Sequence, residues 1–323
     1  MQAAVIAPNG VEVGDAPKPV PGSSQVLVRV RAAALNRADL IMASGRMHGS
    51  AGGPGTVLGL EFAGEVAAVG KDVEGIKPGD RVMCSGNGGW AEFALADWGR
   101  VAKIPANNMS YEQAATLPVA LQTMHNAVVT AGRLKGGETV LIQGASSGVG
   151  LMGLQIAKLK GARLVMGTST NAKRRARLAD FGADLAIDTT EATWADAVLQ
   201  ATDGKGVDLI VDQVSASVAN ENLRAAAVLG RIVNVGRLGG FKGEFDFDLH
   251  AMKRIDYIGV TFRTRSVAEV GEINRAMRAD LWDAVVSGTL RLPIDRTFPL
   301  EQVAAVLAHM RANAHFGKIV LTV

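Results

Sequence analysis

The chain has 323 residues, 48% of them hydrophobic and 20% charged, with a net charge of +3, which is typical of a folded protein of about two domains. One small module and wholesale disorder are thereby excluded, and so small a charge excess argues against a nucleic-acid partner. Cys84 is the only cysteine, which excludes an internal disulfide and a zinc site built from several thiolates. The first residues lack the basic and apolar regions of a signal peptide, so we expect a cytoplasmic protein with no membrane partner.

Short strands separated by glycine and proline are predicted along the first 120 residues, at 3–6, 25–34, 60–69, 80–84 and 90–95. This rhythm predicts a small β-barrel domain. Beyond residue 120 apolar strands alternate with amphipathic helices, which predicts a parallel sheet with helices on both faces. The predicted strands of this part are 139–143, 163–167, 207–212 and 231–235, and the predicted helices are 149–160, 172–181 and 219–227.

The last part of the chain has too few residues for a third domain. An extended segment at 257–262 is predicted to be the edge strand of the sheet, a helix is predicted at 269–287 and a strand at 318–323. We expect this tail to complete the first domain. The predicted domains are therefore 1–120 with 265–323, and an inserted domain at 121–264.

A glycine-rich turn joins the apolar strand at 139–143 to the next helix. Glycines let the backbone approach a pyrophosphate, and the N–H groups of the helix N-terminus face the anion. In isolation such a turn is equally well a plain structural turn, but the β-α-β context favours dinucleotide binding. In the register of the G-x-G-x-x-G fingerprint, small residues replace the first two glycines. The predicted cofactor-binding residues of the turn are Gly144, Ala145, Ser146, Ser147, Gly148, Val149 and Gly150.

The residues after the second strand of this domain indicate the type of cofactor. A carboxylate at that place would bind the ribose 2′-OH of NAD, but none occurs between Ser169 and Arg174. Hydroxyl and cationic groups suit a 2′-phosphate instead. We therefore predict NADPH as the cofactor, bound by Ser169, Lys173 and Arg174, whereas Arg175 and Arg177 are expected on a solvated helix face.

Metal and nucleophile chemistry receive no support from the sequence. The five histidines are not at ligand spacing from one another or from Cys84. Residues 144–148 match the G-x-S-x-G pattern of a serine hydrolase only superficially, because they lie in the first nucleotide crossover. We predict no metal site.

Several motifs, taken in order, carry a resemblance that spans nearly the whole chain. With these motifs and the 144–150 turn, the chain resembles the zinc-independent quinone oxidoreductases of the medium-chain dehydrogenase/reductase superfamily. The spacing is most similar to the branch that contains the tumour-suppressor-inducible quinone oxidoreductase, and zeta-crystallin is more distant. The motifs are Asn36-Arg-Ala-Asp39, Leu58-Gly-Leu-Glu61-Phe-Ala-Gly-Glu-Val-Ala-Ala-Val-Gly70, Lys77-Pro-Gly-Asp-Arg-Val82, Gly88-Gly-Trp-Ala-Glu92 and Gly317-Lys-Ile-Val-Leu321.

The resemblance implies an α/β protein with a GroES-like β-barrel domain and a Rossmann doubly wound domain. It implies hydride transfer from NADPH to a quinone or an activated alkene in the cleft between the domains. Zinc-dependent relatives carry a histidine where Leu60 stands here, which agrees with the prediction of no metal site. In relatives two edge strands pair across a two-fold axis, so the resemblance also implies a homodimer through residues 257–262.

Further site residues follow from the same resemblance. Asn36, Thr123 and Arg265 are the expected catalytic residues. Their alternatives are a turn cap, ordinary helix packing and a solvated arginine. The expected cofactor contacts are Gly236, Leu238, Asn313 and Lys318, with a plain turn at 236–239 and a surface position for Lys318 as alternatives.

One departure from the family concerns the substrate. Many relatives have a tyrosine where Met47 stands, so a phenol cannot stack on the acceptor or donate a proton there. His48 could donate the proton, since an unperturbed histidine has a pKa near ~6.5, although a solvated surface histidine is the simpler interpretation. Two alternatives therefore stay open, an enone or enoyl-thioester reductase and a non-catalytic NADPH-binding sensor or structural protein.

Overall fold

The structure, a computed structural model, describes residues 1–49 and 51–323. The chain divides into two compact units. The first comprises Met1–Gln122 and Phe262–Val323, and the second comprises Thr123–Thr261. These boundaries lie two and three residues from the predicted ones at 120 and 264.

The first unit begins with a strand-rich segment that ends in short helices, the last of which continues past the unit boundary at Gln122. The helix that begins at Tyr111 is capped by a polar side chain: Ser110 Oγ accepts a hydrogen bond from the N–H of Gln113, as is usual at helix N-termini. The elements are β1 (Gln2–Ala7), β2 (Gly10–Asp15), β3 (Gln25–Ala34), α1 (Arg37–Ala43), β4 (Glu61–Val69), β5 (Arg81–Ser85), β6 (Phe93–Asp97), β7 (Val101–Lys103), α2 (Tyr111–Ala115) and α3 (Pro118–Met124).

The second unit alternates strands and helices after a π-helical segment, His125–Ala131. Its central strands are rich in buried apolar residues, as expected for strands covered on both faces. The elements are β8 (Thr139–Ile142), α4 (Gly148–Leu159), β9 (Leu164–Thr168), α5 (Ala172–Arg175), β10 (Leu185–Ile187), α6 (Trp194–Ala201), β11 (Val207–Asp212), α7 (Ala219–Ala225), β12 (Ala226–Asn234), α8 (Phe247–Lys253) and β13 (Asp256–Gly259).

The tail of the chain supplies the remaining elements of the first unit. β15 pairs antiparallel with β3, with Val320 opposite Ala34, and β14 pairs parallel with β15. In the same sheet β3 also pairs with β4 and β6. The four elements are α9 (Val267–Val286), β14 (Ile294–Pro299), α10 (Val303–Arg311) and β15 (Lys318–Thr322).

The sheet of the second unit has the strand order β10-β9-β8-β11-β12-β13. Every neighbouring pair within it is parallel. Numbered along the unit this order is 3-2-1-4-5-6, the arrangement of a doubly wound dinucleotide-binding domain. The chain reverses direction across the sheet between β8 and β11. The predicted fold class is confirmed.

Three predicted elements differ clearly from the structure. The strand predicted at 231–235 is β12, which begins five residues earlier, at Ala226, where the helix predicted at 219–227 has already ended. The predicted helix at 172–181 is broken: α5 ends at Arg175, and a 3₁₀ turn covers Leu178–Phe181. Leu178 and Phe181 are both buried, and their spacing of three residues matches the 3₁₀ period. The predicted edge strand at 257–262 is β13, which ends at Gly259. The backbone then leaves the sheet after the N–H of Val260 bonds to the carbonyl of Asn234.

Each unit has its own hydrophobic core. In the first, Phe62 and Trp90 are fully buried among the strands of the β3 sheet. In the second, Leu141 and Ile210 lie at the centre of the parallel sheet. Among residues 1–49 and 51–323, none of the helices combines the length and the hydropathy that a membrane span requires.

Candidate functional site

The turn between β8 and α4 has the geometry of a phosphate-binding turn. Gly144 has a φ of +66°, a backbone conformation that favours glycine. Ser147 caps α4: its Oγ accepts from the N–H of Gly150 at 3.0 Å and donates to the carbonyl of Gly144 at 3.0 Å. The N–H groups of Gly148 and Val149 lie in the first turn of the helix, where no intrahelical acceptor exists. They are therefore available to an anion at the positive end of the helix dipole.

Close packing explains the last glycine of the turn. A Cβ on Gly150 would lie 2.6 Å from Ala145 Cα and 2.7 Å from the carbonyl oxygen of Gly144. Both atoms belong to the backbone and cannot move aside as a side chain would. Glycine at position 150 thus keeps α4 against the turn.

A buried polar network underlies the turn and was not predicted. Thr168 Oγ1 accepts from the N–H of Gly144 at 3.0 Å and donates to Gln143 Oε1 at 2.8 Å. Gln213 Nε2 donates to the carbonyl of Gln143 at 3.0 Å, and Gln213 Oε1, 3.2 Å from Ser147 Oγ, shares the hydroxyl hydrogen of Ser147 with the carbonyl of Gly144. These bonds join the ends of β8, β9 and β11. A glutamine following each of two apolar strands was the signal that could have revealed them.

The network continues to Asp212, the last residue of β11. Gln143 Nε2 donates to Asn222 Oδ1, and Asn222 Nδ2 donates to Asp212 Oδ2 at 3.1 Å. Asp212 Oδ1 accepts from the N–H groups of Val214 and Ser215. Burial raises the pKa of Asp212, against the opposing effect of these N–H donors. The network fixes the backbone on the β11 side of the point where the chain reverses direction, the usual ligand position in such sheets.

The predicted cofactor loop at 236–239 packs on the same end of β11. The N–H of Leu238 donates to the carbonyl of Gln213 at 3.1 Å, and the N–H of Gly239 donates to the carbonyl of Val214 at 2.7 Å. A Cβ on Gly236 would lie 2.6 Å from the Gln213 carbonyl oxygen. Leu238 itself is exposed. The structure therefore brings the 144–150 turn and the 236–239 loop together through Gln213.

Of the predicted 2′-phosphate residues, Ser169 contacts the turn directly. Ser169 follows β9, is 5% exposed, and its Oγ donates to Ser146 Oγ at 3.2 Å. Lys173 is exposed and Arg174 half-buried in α5. The expectation of a solvated Arg175 was wrong: its guanidinium binds Asp188 Oδ2 and the carbonyl of Ser169, at 2.8 and 2.9 Å. The short α5 ends at Arg175, which lets this side chain bind residues at the ends of β9 and β10.

In the first unit the structure brings Asn36 and Lys318 together. Lys318 Nζ donates to Asn36 Oδ1 at 3.1 Å and to Glu61 Oε1 at 2.5 Å. Lys318 is 3% exposed, so the alternative of a surface strand residue was wrong. Asn313 contacts the residue that follows Asn36, because its Oδ1 accepts a hydrogen bond from Arg37 at 2.8 Å.

Asp39 is the second carboxylate beside Asn36 and is fully buried. Its Oδ2 accepts from the N–H of Asn36 at 2.7 Å. Burial raises the pKa of Asp39 to about 7, although the nearby Lys318 and the N–H of Asn36 lower it. Asn36 thus caps α1 through its backbone, while its side chain points to the Lys318–Glu61 pair.

The other predicted catalytic groups have separate surroundings. Thr123 is half-buried in α3. Arg265 precedes α9, 3.8 Å from Glu269 and above the ring of Phe262. His48 is half-buried rather than solvated, and burial together with the Arg263 charge lowers its pKa. His48 therefore holds a proton less readily near neutral pH than an unperturbed histidine does.

Comparison with known families and structures agrees with both units. A family model described as an alcohol dehydrogenase GroES-like domain matches residues 22–106, and one described as a zinc-binding dehydrogenase matches residues 148–278. An alcohol dehydrogenase superfamily protein from Novosphingobium aromaticivorans is 30% identical. The match covers 100% of this chain and 99% of that protein, with a TM-score of 0.88. The chain belongs to the medium-chain dehydrogenase/reductase superfamily.

Two further superfamily structures bear on the site. A quinone oxidoreductase of Pseudomonas syringae is 28% identical over 100% of both chains, with a TM-score of 0.88. A mycobacterial protein complexed with NADPH has the same identity, coverage and TM-score. Among curated relatives, a mycocerosic acid synthase-like polyketide synthase of Mycobacterium tuberculosis is 31% identical over 94% of this chain. The chain spans about 14% of the length of that relative.

Although one matching superfamily model is named for zinc, the donor set of this chain does not fit that ion. Over residues 1–49 and 51–323 no three His, Cys, Asp or Glu side chains are grouped to hold a metal. Leu60 stands beside Glu61, and burial raises the pKa of the Cys84 thiol far above its usual range. A thiolate ligand is therefore disfavoured at position 84.

A nicotinamide dinucleotide, by contrast, fits the second unit of this superfamily member. The donors are the N–H groups at the start of α4, the hydroxyls of Ser146 and Ser169, and the side chains of Lys173 and Arg174. No acidic residue occurs between positions 169 and 174 to repel a phosphate.

Proposed function

We propose that this protein is a zinc-independent oxidoreductase that transfers a hydride from NADPH to a quinone or another activated carbonyl or alkene. The observation that carries the proposal is the turn at the β8–β11 reversal, with Ser169, Lys173 and Arg174 in place of an acidic residue. The superfamily member solved with NADPH and the quinone oxidoreductases of similar fold support it. Within the superfamily, the motifs in the first unit favour the tumour-suppressor-inducible quinone oxidoreductase branch.

In this reaction the residues of the chain would have the following roles. Bound NADPH supplies the hydride, while the protein binds, orients and excludes water. The N–H groups of Gly148 and Val149 hold the pyrophosphate, and Ser169 and Arg174 hold the 2′-phosphate. Asn36 and Arg265 are the candidates to stabilise the negative charge on an enolate. A quinone needs no protein acid, because its reduced oxygens take protons from water.

A second candidate acceptor is an enone or an enoyl thioester. The curated relatives favour it, since they are named as a mycocerosic acid synthase-like polyketide synthase and a phthioceranic/hydroxyphthioceranic acid synthase. The residue at the position of the family tyrosine also favours this second acceptor class. Met47 occupies that position, is 58% exposed and has a thioether instead of a phenol. Oxidation of NADPH by 1,2-naphthoquinone and by a simple enone, measured side by side, ranks the two classes.

Arg174→Glu tests the assignment of NADPH. We expect the KM for NADPH to rise about tenfold or more, because a charge-assisted bond is replaced by repulsion, while the KM for NADH changes little. Arg177→Glu, in the turn that follows α5, is the matched control for a general change of charge. Equal changes for both cofactors in Arg174→Glu would contradict the assignment.

We expect the protein to be a homodimer that pairs two β13 strands. β13 is the last strand of its sheet, and an open edge exposes unpaired backbone groups that a second copy can bind. The apolar side chains of Phe247, Met252 and Tyr257 are exposed near this edge. Light scattering should give twice the chain mass of 33.7 kDa, and a monomer would contradict the expectation.

A further inference from the structure

The first unit contains a buried charge pair that the proposed reaction does not explain. Lys318, at the start of β15, is 3% exposed, and Glu61, at the start of β4, is 0% exposed. Two buried charges are costly unless their geometry and hydrogen bonds are good. The side chain of Asn36 contacts both Lys318 and Glu61, so the charge pair adjoins a predicted catalytic residue.

Lys318 has no N–H group left for a cofactor. An ammonium carries three donors, and Nζ donates to the carbonyl of Leu35 at 2.8 Å, to Asn36 Oδ1 at 3.1 Å and to Glu61 Oε1 at 2.5 Å. All three acceptors belong to the same unit. The expected direct contact between Lys318 and the cofactor therefore requires one of these bonds to break.

The pair determines which way the amide of Asn36 faces. Its Oδ1 accepts from Lys318, and its Nδ2 donates to Glu61 Oε1 at 2.9 Å. A flip of the amide would place the NH₂ group against an ammonium, which can only donate, and the carbonyl against a carboxylate, which can only accept. Both bonds oppose the flip, and the charges strengthen them.

Glu61 is in turn held from its other side. Its Oε2 accepts from the N–H of Val119, at the start of α3, at 2.8 Å. Lys318 is anchored by its backbone as well, since its N–H donates to the carbonyl of Pro293 at 2.9 Å. The amide of Asn36 is thus oriented by two side chains whose own positions are fixed.

From this geometry we infer that Lys318, through its pair with Glu61, is a positioning residue for Asn36. It holds the amide so that the second N–H of Nδ2, which neither Lys318 nor Glu61 uses, is presented to the oxygen that gains negative charge during reduction. The inference rests on the proposed function. It assigns Lys318 to the rate of the reaction rather than to cofactor binding.

The test replaces the ammonium and measures rate and binding separately. In Lys318→Met we expect kcat with 1,2-naphthoquinone or an enone to fall about 100-fold at saturating NADPH, the effect of losing one aligned donor. The Kd for NADPH, from a fluorescence titration, should change by less than about threefold. Lys318→Arg keeps the charge and the donors and should restore part of kcat. A rise in Kd of about tenfold with unchanged kcat would overturn the inference.

A double-mutant cycle separates positioning from a general structural role. If Lys318 acts through Asn36, Lys318→Met should have no further effect on kcat in an Asn36→Ala background. Independent effects, whose fold-changes multiply, would contradict the inference. Lys318→Met leaves Glu61 as an unpaired buried charge, which destabilises the fold. A second variant therefore tests whether a fall in kcat comes from unfolding.

That second variant is Lys318→Met/Glu61→Gln, which removes both charges and leaves none unpaired. It should show the same fall in kcat with the NADPH Kd unchanged, and a wild-type kcat would overturn the inference. The wild-type protein is assayed first. Absence of any NADPH oxidation would contradict the proposed function and the inference with it, whereas a normal wild type and a fully active Lys318→Met would contradict the inference alone.

Discussion

Gly150→Ala is expected to raise the Kd for NADPH about tenfold or more, equivalent to roughly 1.4 kcal/mol of binding free energy. The added methyl group would lie 2.6 Å from Ala145 Cα and 2.7 Å from the Gly144 carbonyl oxygen. Because these are backbone atoms, the turn itself must open, and overpacking of this kind costs about 1–3 kcal/mol. The N–H groups at the start of α4 would then no longer converge on the pyrophosphate.

Gly136→Ala is the matched control for this substitution. It makes the same chemical change in the same unit, at a glycine whose added Cβ would meet no atom within 4 Å. We expect its NADPH Kd and melting temperature to equal those of the wild type. A fluorescence titration in which Gly150→Ala binds as tightly as Gly136→Ala would contradict the assignment of the turn.

Asp39→Asn is expected to change how stability depends on pH. Burial raises the pKa of Asp39 to about 7, above the ordinary value near ~3.9 of an unfolded chain. The folded state therefore binds the proton more tightly, and the stability that this proton confers is lost as the pH rises toward 7. Between pH 5 and pH 8 we expect the wild type to lose about 2–3 kcal/mol of unfolding free energy relative to the variant.

Chemical denaturation at several pH values measures this difference. Asp80→Asn serves as the control that should show no change between pH 5 and pH 8, because Lys103 and the N–H of Lys77 lower the pKa of Asp80 and its titration lies below that range. Its contribution to stability is present above the ordinary carboxyl pKa and is lost as the pH falls. A difference between wild type and Asp39→Asn that stays constant from pH 5 to pH 8 would show that Asp39 is ionised throughout.

Local patterns in the sequence were sufficient to predict the strand, the glycine-rich turn and the helix at 139–160. An apolar run, a cluster of small residues and a helix follow one another within residues 139–160, so the strand, the turn and the cap are determined by neighbours in the chain. The strand at 207–212 was predicted with its bounds for the same reason. The helix at 172–181 failed because burial of Leu178 and Phe181, which depends on the rest of the unit, changed its local geometry.

Contacts between distant residues could not be predicted in this way. Lys318 meets Glu61 across 257 positions of the chain, and no periodicity specifies which carboxylate a buried lysine will find. The same holds for Arg175, whose partner Asp188 follows a different strand. Gln143 and Gln213 are an intermediate case, because a polar residue at the end of an apolar strand is visible in the sequence but its partners are not.

The proposed function requires the protein to move a hydride from NADPH to an electron-poor acceptor. The most direct measurement is the loss of absorbance at the reduced-nicotinamide band after 1,2-naphthoquinone, and then a simple enone, is added to the protein with NADPH. We expect oxidation with at least one acceptor and a faster rate with NADPH than with NADH. Tight NADPH binding without oxidation by either acceptor would contradict the reductase and favour a protein that binds NADPH as a sensor or structural component.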